Sequence, residues 1–205
     1  ERFRIIKGFD PEAGWLGKNF ACNRLAAESS GRYLLFMDAD VIPAPDAVKN
    51  AINTLMLTGK DALSVFPSQI NITFGEKIIV PLMKWFLLSF LPLSLAGNSK
   101  SEHLTAANGQ FMLFKRESYE NSGGHKAVRD CVVEDMELAR NLKKNGFTIS
   151  VYTGGSDVFC RMYPDFNEAM EGFTKNFFAG FNKNIFVFAA MHLYVFAVNI
   201  GFILL

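Results

Sequence analysis

The sequence predicts an α/β fold, a sheet of buried strands covered by helices. Three observations carry that reading. Tyr33-Leu34-Leu35-Phe36-Met37 is an unbroken apolar run that leads into Asp38-Ala39-Asp40, which reads as a strand buried on both faces, as in a parallel sheet. Ala62-Leu63-Ser64-Val65-Phe66 repeats the pattern after a segment that Pro45 can open and Gly59 can close as a helix. Strand-type and helix-type segments alternate, which favours a sheet with both faces covered.

Along the chain, a short strand is expected near residues 4–7. The glycine-rich loop Gly14-Trp15-Leu16-Gly17-Lys18-Asn19 follows, then a helix to about Ser30 with apolar positions Phe20, Leu25 and Ala26. After the two strands above, within 77–96, the run from Ile78 to Leu95 is nearly all apolar but is broken by Pro81, Lys84 and Pro92. The prolines argue against one straight helix, and the segment reads as an interfacial or re-entrant helix with Trp85 and Phe86 at headgroup level. Gly109-Gln110-Phe111-Met112-Leu113-Phe114 reads as a further strand, before Arg116-Glu117-Ser118-Tyr119 and a turn at Gly123-Gly124. Residues 134–146 have acids in the first turn, Lys143 and Lys144 in the last, and Gly146 as the stop, the pattern of a helix aligned with its dipole. A strand at 148–152, an amphipathic helix at 165–184 and an uncharged apolar segment at 185–205 complete the reading. The last is long enough to cross a bilayer. The domain division is thus a core at 1–164, a membrane-proximal helix and a transmembrane helix.

With 205 residues, the chain accommodates one sizeable domain and an appendage. Its 21 phenylalanines are concentrated towards the C-terminus, which suggests membrane contact. A formal charge of +1 without any basic run gives no hint of nucleic acid as a partner, and none is expected. Cys22, Cys131 and Cys160 form neither a zinc pattern nor a disulfide framework, in keeping with a reducing cytosolic face. The chain opens on a strand-like segment without methionine and stops within an apolar run, and so reads as a fragment of a longer protein.

Asp38 and Asp40 share a face if the strand continues, and could then address one Mg²⁺ or Mn²⁺ carrying phosphates. The alternative is a turn cap and a solvated acid. Glu134-Asp135 either caps a helix or supplies a general base delivered by the apolar Val132-Val133. Arg161 could clamp phosphate oxygens or sit among lipid headgroups. Lys18, after Gly17, could also approach a phosphate, although this is not a P-loop. His125 reads as a loop histidine. Asn108-Gly109-Gln110 lines an acceptor pocket or forms a turn.

Taken in order, Gly17-Lys18-Asn19, Leu35-Phe36-Met37-Asp38-Ala39-Asp40-Val41, the segment from Gly109-Gln110 to Lys115-Arg116, Val133-Glu134-Asp135-Met136-Glu137-Leu138 and Arg161-Met162-Tyr163 resemble a family 2 glycosyltransferase with a GT-A fold. The stretch Glu168-Ala169-Met170-Glu171-Gly172-Phe173 is similar to the membrane-attached branch with hopanoid-associated and carotenoid-type enzymes. The resemblance implies that Asp38 and Asp40 hold the divalent cation and the donor diphosphate, with Asp40 the direct ligand. It makes Asp135 the catalytic base and gives Glu134 a part in shaping the acceptor site. It places Lys18, Gly109, Gln110 and Arg161 on the substrates. Processive relatives carry Gln-x-x-Arg-Trp, whereas this chain has Arg161-Met162-Tyr163, which implies non-processive transfer. The implied partners are a nucleotide-sugar donor and a lipid or lipid-linked acceptor, with the catalytic domain on the cytoplasmic side of the inner membrane. The strands that would read base and ribose should precede Glu1. The alternatives are a sugar-phosphate nucleotidyltransferase of the same fold, a catalytically silent membrane-bound binding domain, and a glycoside hydrolase with paired carboxylates.

Overall fold

The computed structural model describes residues 4–90, 93–163 and 166–180, with isolated positions further along. In chain order the elements are α1 (Gly17–Glu28), β1 (Tyr33–Met37), β2 (Val41–Pro43), α2 (Ala47–Thr58), β3 (Ala62–Phe66), β4 (Ser68–Gln69), α3 (Phe74–Phe90) and α4 (Leu93–Asn98). They continue with β5 (Phe111–Lys115), α5 (Arg116–Asn121), a 3₁₀ turn at Gly124–Val128, α6 (Glu134–Lys144), β6 (Ile149–Thr153), β7 (Val158–Cys160) and α7 (Phe166–Gly180).

The main sheet runs β1-β5-β3-β6. Both pairs made by β5 are antiparallel, and only β3 and β6 run parallel, so the sheet is mixed. Strand β5 explains the layering. Its successive side chains alternate between faces, and Phe111, Met112, Leu113 and Phe114 are all buried. Met112 and Phe114 pack with Leu34, Ala62 and Ile149 against Leu138, Ala139 and Leu142 of α6 and Ala26 of α1. Phe111 and Leu113 pack with Leu63 and Val65 against Ala47, Ala51 and Leu55 of α2. Asp61, just before β3, ties the sheet together by accepting from Thr148 N at 2.9 Å, Thr148 Oγ1 at 2.8 Å and Lys115 Nζ at 3.0 Å.

Several expectations need correction. Residues 4–7 form no strand. The run 33–37 is not buried on both faces. It is the outer strand of the described sheet, paired antiparallel to β5, with Leu34 buried and Met37 43% exposed. Apolar content alone does not separate an edge strand from a central one, and the doubly buried strands are β3 and β5. In α1 the buried residues are Asn19 and Ala26, while Leu25 faces solvent. Asn19 is the anchor instead, its Nδ2 donating to Val128 O at 2.7 Å and Cys131 O at 3.0 Å, which fixes α1 to the 3₁₀ turn.

A second sheet, β2-β7-β4, was not expected. Its strands are two or three residues long, too short for a periodic signal, and Pro43 ends β2 on the edge where a missing N–H is tolerated. Helix α3 runs through Pro81 rather than breaking at it. No helix among the described residues is long and apolar enough to cross a membrane. The span expected at 185–205 lies, isolated positions apart, outside the described residues.

Helices α3 and α7 meet at a glycine. A Cβ on Gly75 would lie 2.8 Å from Phe166 Cβ and 3.0 Å from its backbone nitrogen. Gly75→Ala is therefore expected to force the two helices apart and destabilise the fold by about 1–3 kcal/mol, read as a lowered Tm. An unchanged Tm would show that the contact contributes nothing.

Candidate functional site

The chain leaves the sheet at Met37 and turns instead of continuing as a strand, with Val41 N donating to Asp38 O at 3.2 Å. The turn sends the two aspartates to different partners, so the shared strand face expected for them does not form. Asp38 faces Lys18, whose Nζ lies 3.0 Å from Oδ1 and 3.2 Å from Oδ2. Asp40 faces β7 and β5, its Oδ2 accepting from Cys160 Sγ at 3.3 Å and lying 3.5 Å from Gln110 Nε2. The two clusters are joined through the backbone, because Asp38 N donates to Gln110 O at 3.1 Å.

Lys18 is the hub that the sequence did not reveal. Its ammonium sits in the first turn of α1, between Asp38 and Glu134 Oε1 at 2.9 Å. Burial alone would lower its pKa, but the two flanking carboxylates, Glu134 foremost, outweigh that and raise it. Gly109 lies at this convergence, in ordinary van der Waals reach of all three side chains. A Cβ there would stand 3.4 Å from Asp135 Cβ, 3.4 Å from Glu134 Oε1 and 3.5 Å from Lys18 Nζ.

Asp135, in the first turn of α6, is held by two backbone donors. Gly109 N donates to Oδ2 at 2.9 Å and Met136 N to Oδ1 at 2.8 Å. Desolvation, reinforced by the neighbouring Glu134 charge, pushes its carboxyl up to about 6, against the opposing backbone bonds and Lys18. The acids open the helix, as one reading of Glu134-Asp135 expects, and one of them titrates close to neutrality. Lys18→Met removes a charge that favours the ionised form and is expected to raise the Asp135 pKa further. Carboxyl-resolved NMR titration checks this, and an unchanged midpoint would contradict the coupling.

Lys18, Cys22, Met37, Asp38, Gly109 and Glu134 border a cavity of about 200 Å³. His125 is also on its wall, buried and not in an open loop. Its Nδ1 shares a 2.8 Å hydrogen bond with Tyr119 Oη, and burial, with Lys18 nearby, lowers its pKa to about 4. A wider, more open cleft of about 590 Å³ along Phe9, Trp15, Phe20 and Arg24 contains none of the site carboxylates.

Arg161 follows Cys160 in the chain, and its Nε donates to Glu76 Oε1 at 2.8 Å. Glu76 escaped the sequence reading, although Thr73-Phe74-Gly75-Glu76 ahead of an apolar run has the spacing of a capping box.

Among the described residues no three His, Cys, Asp or Glu side chains gather as a ready-made metal site. The donor set nonetheless fits a hard divalent cation shared with phosphates. Asp38 and Asp40 supply carboxylate oxygens from one turn, and Gln110 Oε1, whose amide nitrogen faces Asp40, is buried without a partner.

Residues 3–123 match the model of the family described as glycosyl transferase family 2. The 4,4'-diaponeurosporenoate glycosyltransferase of Staphylococcus aureus strain USA300 is 31% identical over 172 residues, covering 82% of this chain and 45% of that protein. The same protein from strain MRSA252 gives the same figures, so the chain spans about half the length of the curated relatives it matches. Among solved structures, the mannosyltransferase PcManGT from Pyrobaculum calidifontis, in complex with GDP-Man and Mn²⁺, has a TM-score of 0.49 at 21% identity, over 71% of this chain and 36% of that one. Glucosyl-3-phosphoglycerate synthase from Mycobacterium tuberculosis, in complex with Mn²⁺ and UDP-Glc, has a TM-score of 0.38 at 20% identity, over 74% and 46%.

Proposed function

The chain belongs to glycosyl transferase family 2, and we propose that it transfers a sugar, with inversion, from a nucleotide-diphosphate donor to a hydroxyl of a lipid or lipid-linked acceptor at a membrane. The observation that carries this reading is Asp135. A carboxylate fixed by two backbone N–H groups, with a pKa near 6, sits within electrostatic reach of Lys18, the partner of Asp38 in the cluster that would hold the donor. A base of that strength is largely ionised at neutral pH and still basic enough to accept a proton.

In this mechanism Asp135 takes the proton of the acceptor hydroxyl as its oxygen attacks the anomeric carbon. The bond from that carbon to the diphosphate oxygen breaks, and the electron pair leaves with the diphosphate. Asp38 and Asp40 would hold Mg²⁺ or Mn²⁺, which when bound supplies charge stabilisation to the leaving diphosphate. Lys18 contributes positive charge at the same cavity, and Arg161 adds a planar fork suited to two phosphate oxygens. Glu134 borders the same cavity, paired with Lys18, and would help shape the acceptor site. The core is then a GT-A-type domain, and transfer is non-processive.

Three features support the acceptor and its location. The relative is named a 4,4'-diaponeurosporenoate glycosyltransferase. Helices α3 and α7 expose Phe74, Ile78, Trp85, Phe166 and Met170. The segment 185–205 carries no formal charge. On this reading α3 and α4 lie at the interface, 185–205 spans it, and the catalytic domain faces the cytoplasm from the inner membrane.

The native-length protein, given a panel of nucleotide sugars and membrane lipid extract, is expected to release nucleoside diphosphate only with Mg²⁺ or Mn²⁺ and to stop in excess chelator. Full turnover in chelator would overturn the assigned roles of Asp38 and Asp40.

A further inference from the structure

We propose that Glu76 is the positioning residue for the diphosphate side of the site: its buried carboxylate grips Arg161 by the Nε edge and so aims the Nη edge at the donor. The inference rests on the glycosyl-transfer reading above.

Glu76 is 1% exposed and divides its two oxygens between two tasks. Oε2 closes the N-terminus of α3, accepting from Ile72 N at 2.7 Å and from Thr73 N, while Glu76 N donates to Thr73 Oγ1 at 3.3 Å. That is a complete capping box, and it needs one carboxylate oxygen. Oε1 is left over for Arg161 Nε. A carboxylate this deeply buried is costly unless paired and hydrogen-bonded, and Glu76 is both. Its hydrogen bond from Arg161, followed by the backbone donor at Thr73, brings its pKa down to about 2, so the charge that holds Arg161 persists across the working pH range.

Cys160, just before Arg161, and Tyr163, two residues after it, both register Asp40. Cys160 Sγ donates to its Oδ2, and its charge is among the causes that raise the Tyr163 phenol. The segment is itself fixed, because Ile70 N donates to Cys160 O at 2.8 Å. The backbone of Arg161 is thereby placed next to the residue whose thiol meets the carboxylate assigned to the donor phosphates. A guanidinium is a rigid planar fork, so fixing Nε sets the direction of the opposite edge. The side chain remains 36% exposed, which leaves it within reach of a ligand.

A purely structural link between α3 and β7 would stabilise the fold without distinguishing phosphates. The informative quantity is thus the ratio of affinities for a nucleoside diphosphate and its monophosphate, measured in Mn²⁺ on the native-length protein with UDP, GDP, ADP, CDP and dTDP and the matching monophosphates. Wild type is expected to favour one diphosphate. Arg161→Ala and Glu76→Gln should each cut that preference by about tenfold or more, the loss of one charge-assisted contact. The double variant should be no worse than Arg161→Ala alone. Thr73→Ala, which breaks the cap but not the arginine bond, should lower Tm and leave the ratio intact. If Arg161→Ala loses the preference while Glu76→Gln keeps it, the positioning role is wrong and the transferase reading stands. If Arg161→Ala also keeps it, the arginine does not meet the diphosphate and the inference falls. Wild type that binds none of the diphosphates overturns the transferase reading as well. Should Glu76→Gln not fold, Glu76→Asp retains the charge with a shorter reach; a wild-type ratio in that variant would overturn the proposal.

Discussion

Asp135→Asn is expected to lower kcat by about 10²- to 10⁴-fold, the usual contribution of a positioned general base, while nucleoside diphosphate affinity stays within about twofold. The substitution preserves shape but removes the basic lone pair. Its structural cost is bounded by the two backbone donors, Gly109 N and Met136 N, of which an amide oxygen can keep only one. Losing the other leaves a partly buried N–H poorly satisfied, worth about 1–3 kcal/mol. The pH dependence separates this cost from the catalytic one. The Asp135 carboxyl titrates near 6 in the fold, above its ordinary value, so the protonated form is the one the fold favours. The stability that this provides is complete below the unfolded-state pKa and is lost as pH rises through about 6. Asparagine does not ionise, so the Tm of the variant relative to wild type should improve between about pH 4 and pH 7. The wild-type rate should fall as pH drops through the same midpoint. Turnover within twofold of wild type would remove Asp135 from the chemistry.

Asp40→Asn is expected to abolish the effect of Mn²⁺ on nucleoside diphosphate binding and to lower turnover on the order of 10²- to 10³-fold, comparable to losing one element of leaving-group stabilisation. Asp40 is the more exacting of the two aspartates to test, because Asp38 already has a cationic partner in Lys18 whereas Asp40 has a thiol and an amide. The replacement is isosteric, and Cys160 Sγ can still donate to the amide oxygen, so the fold should survive. Binding and turnover are measured on the same preparation, since a misfolded variant would lose both without regard to the metal. Wild-type Mn²⁺ dependence in Asp40→Asn would transfer the cation to other ligands.

Much of the architecture was readable before the structure. Helix α6 announced itself through acids in its first turn and lysines in its last, and its bounds were close. Strand β3 was found whole, because five residues with turn signals on both sides leave little choice. The errors have a common physical origin: they concern which neighbour an element meets. Nothing in Tyr33–Met37 says that it lies at the edge while β5 is buried on both faces. The three short strands of the second sheet carry no period to detect. The site shows the same division. Asp38, Asp40, Glu134 and Asp135 stood out because paired acids at strand ends and helix starts are conspicuous. Their grouping was not visible. Lys18 bridges the acid that follows β1 and the acid that opens α6, Gly109 N meets Asp135 across 26 positions of sequence, and Glu76 reaches Arg161 across 85. Such partnerships are made by the fold and leave no local pattern.

In the proposed mechanism Asp40 and Asp135 serve one reaction centre in separate roles, one holding the donor and the other moving a proton. The direct measurement is Mn²⁺-dependent nucleoside diphosphate binding and sugar transfer in parallel on Asp40→Asn and Asp135→Asn of the native-length protein. Asp40→Asn should lose both binding and transfer, while Asp135→Asn should bind as wild type and fail to transfer. Normal transfer by either variant, or loss of binding in folded Asp135→Asn, would contradict it.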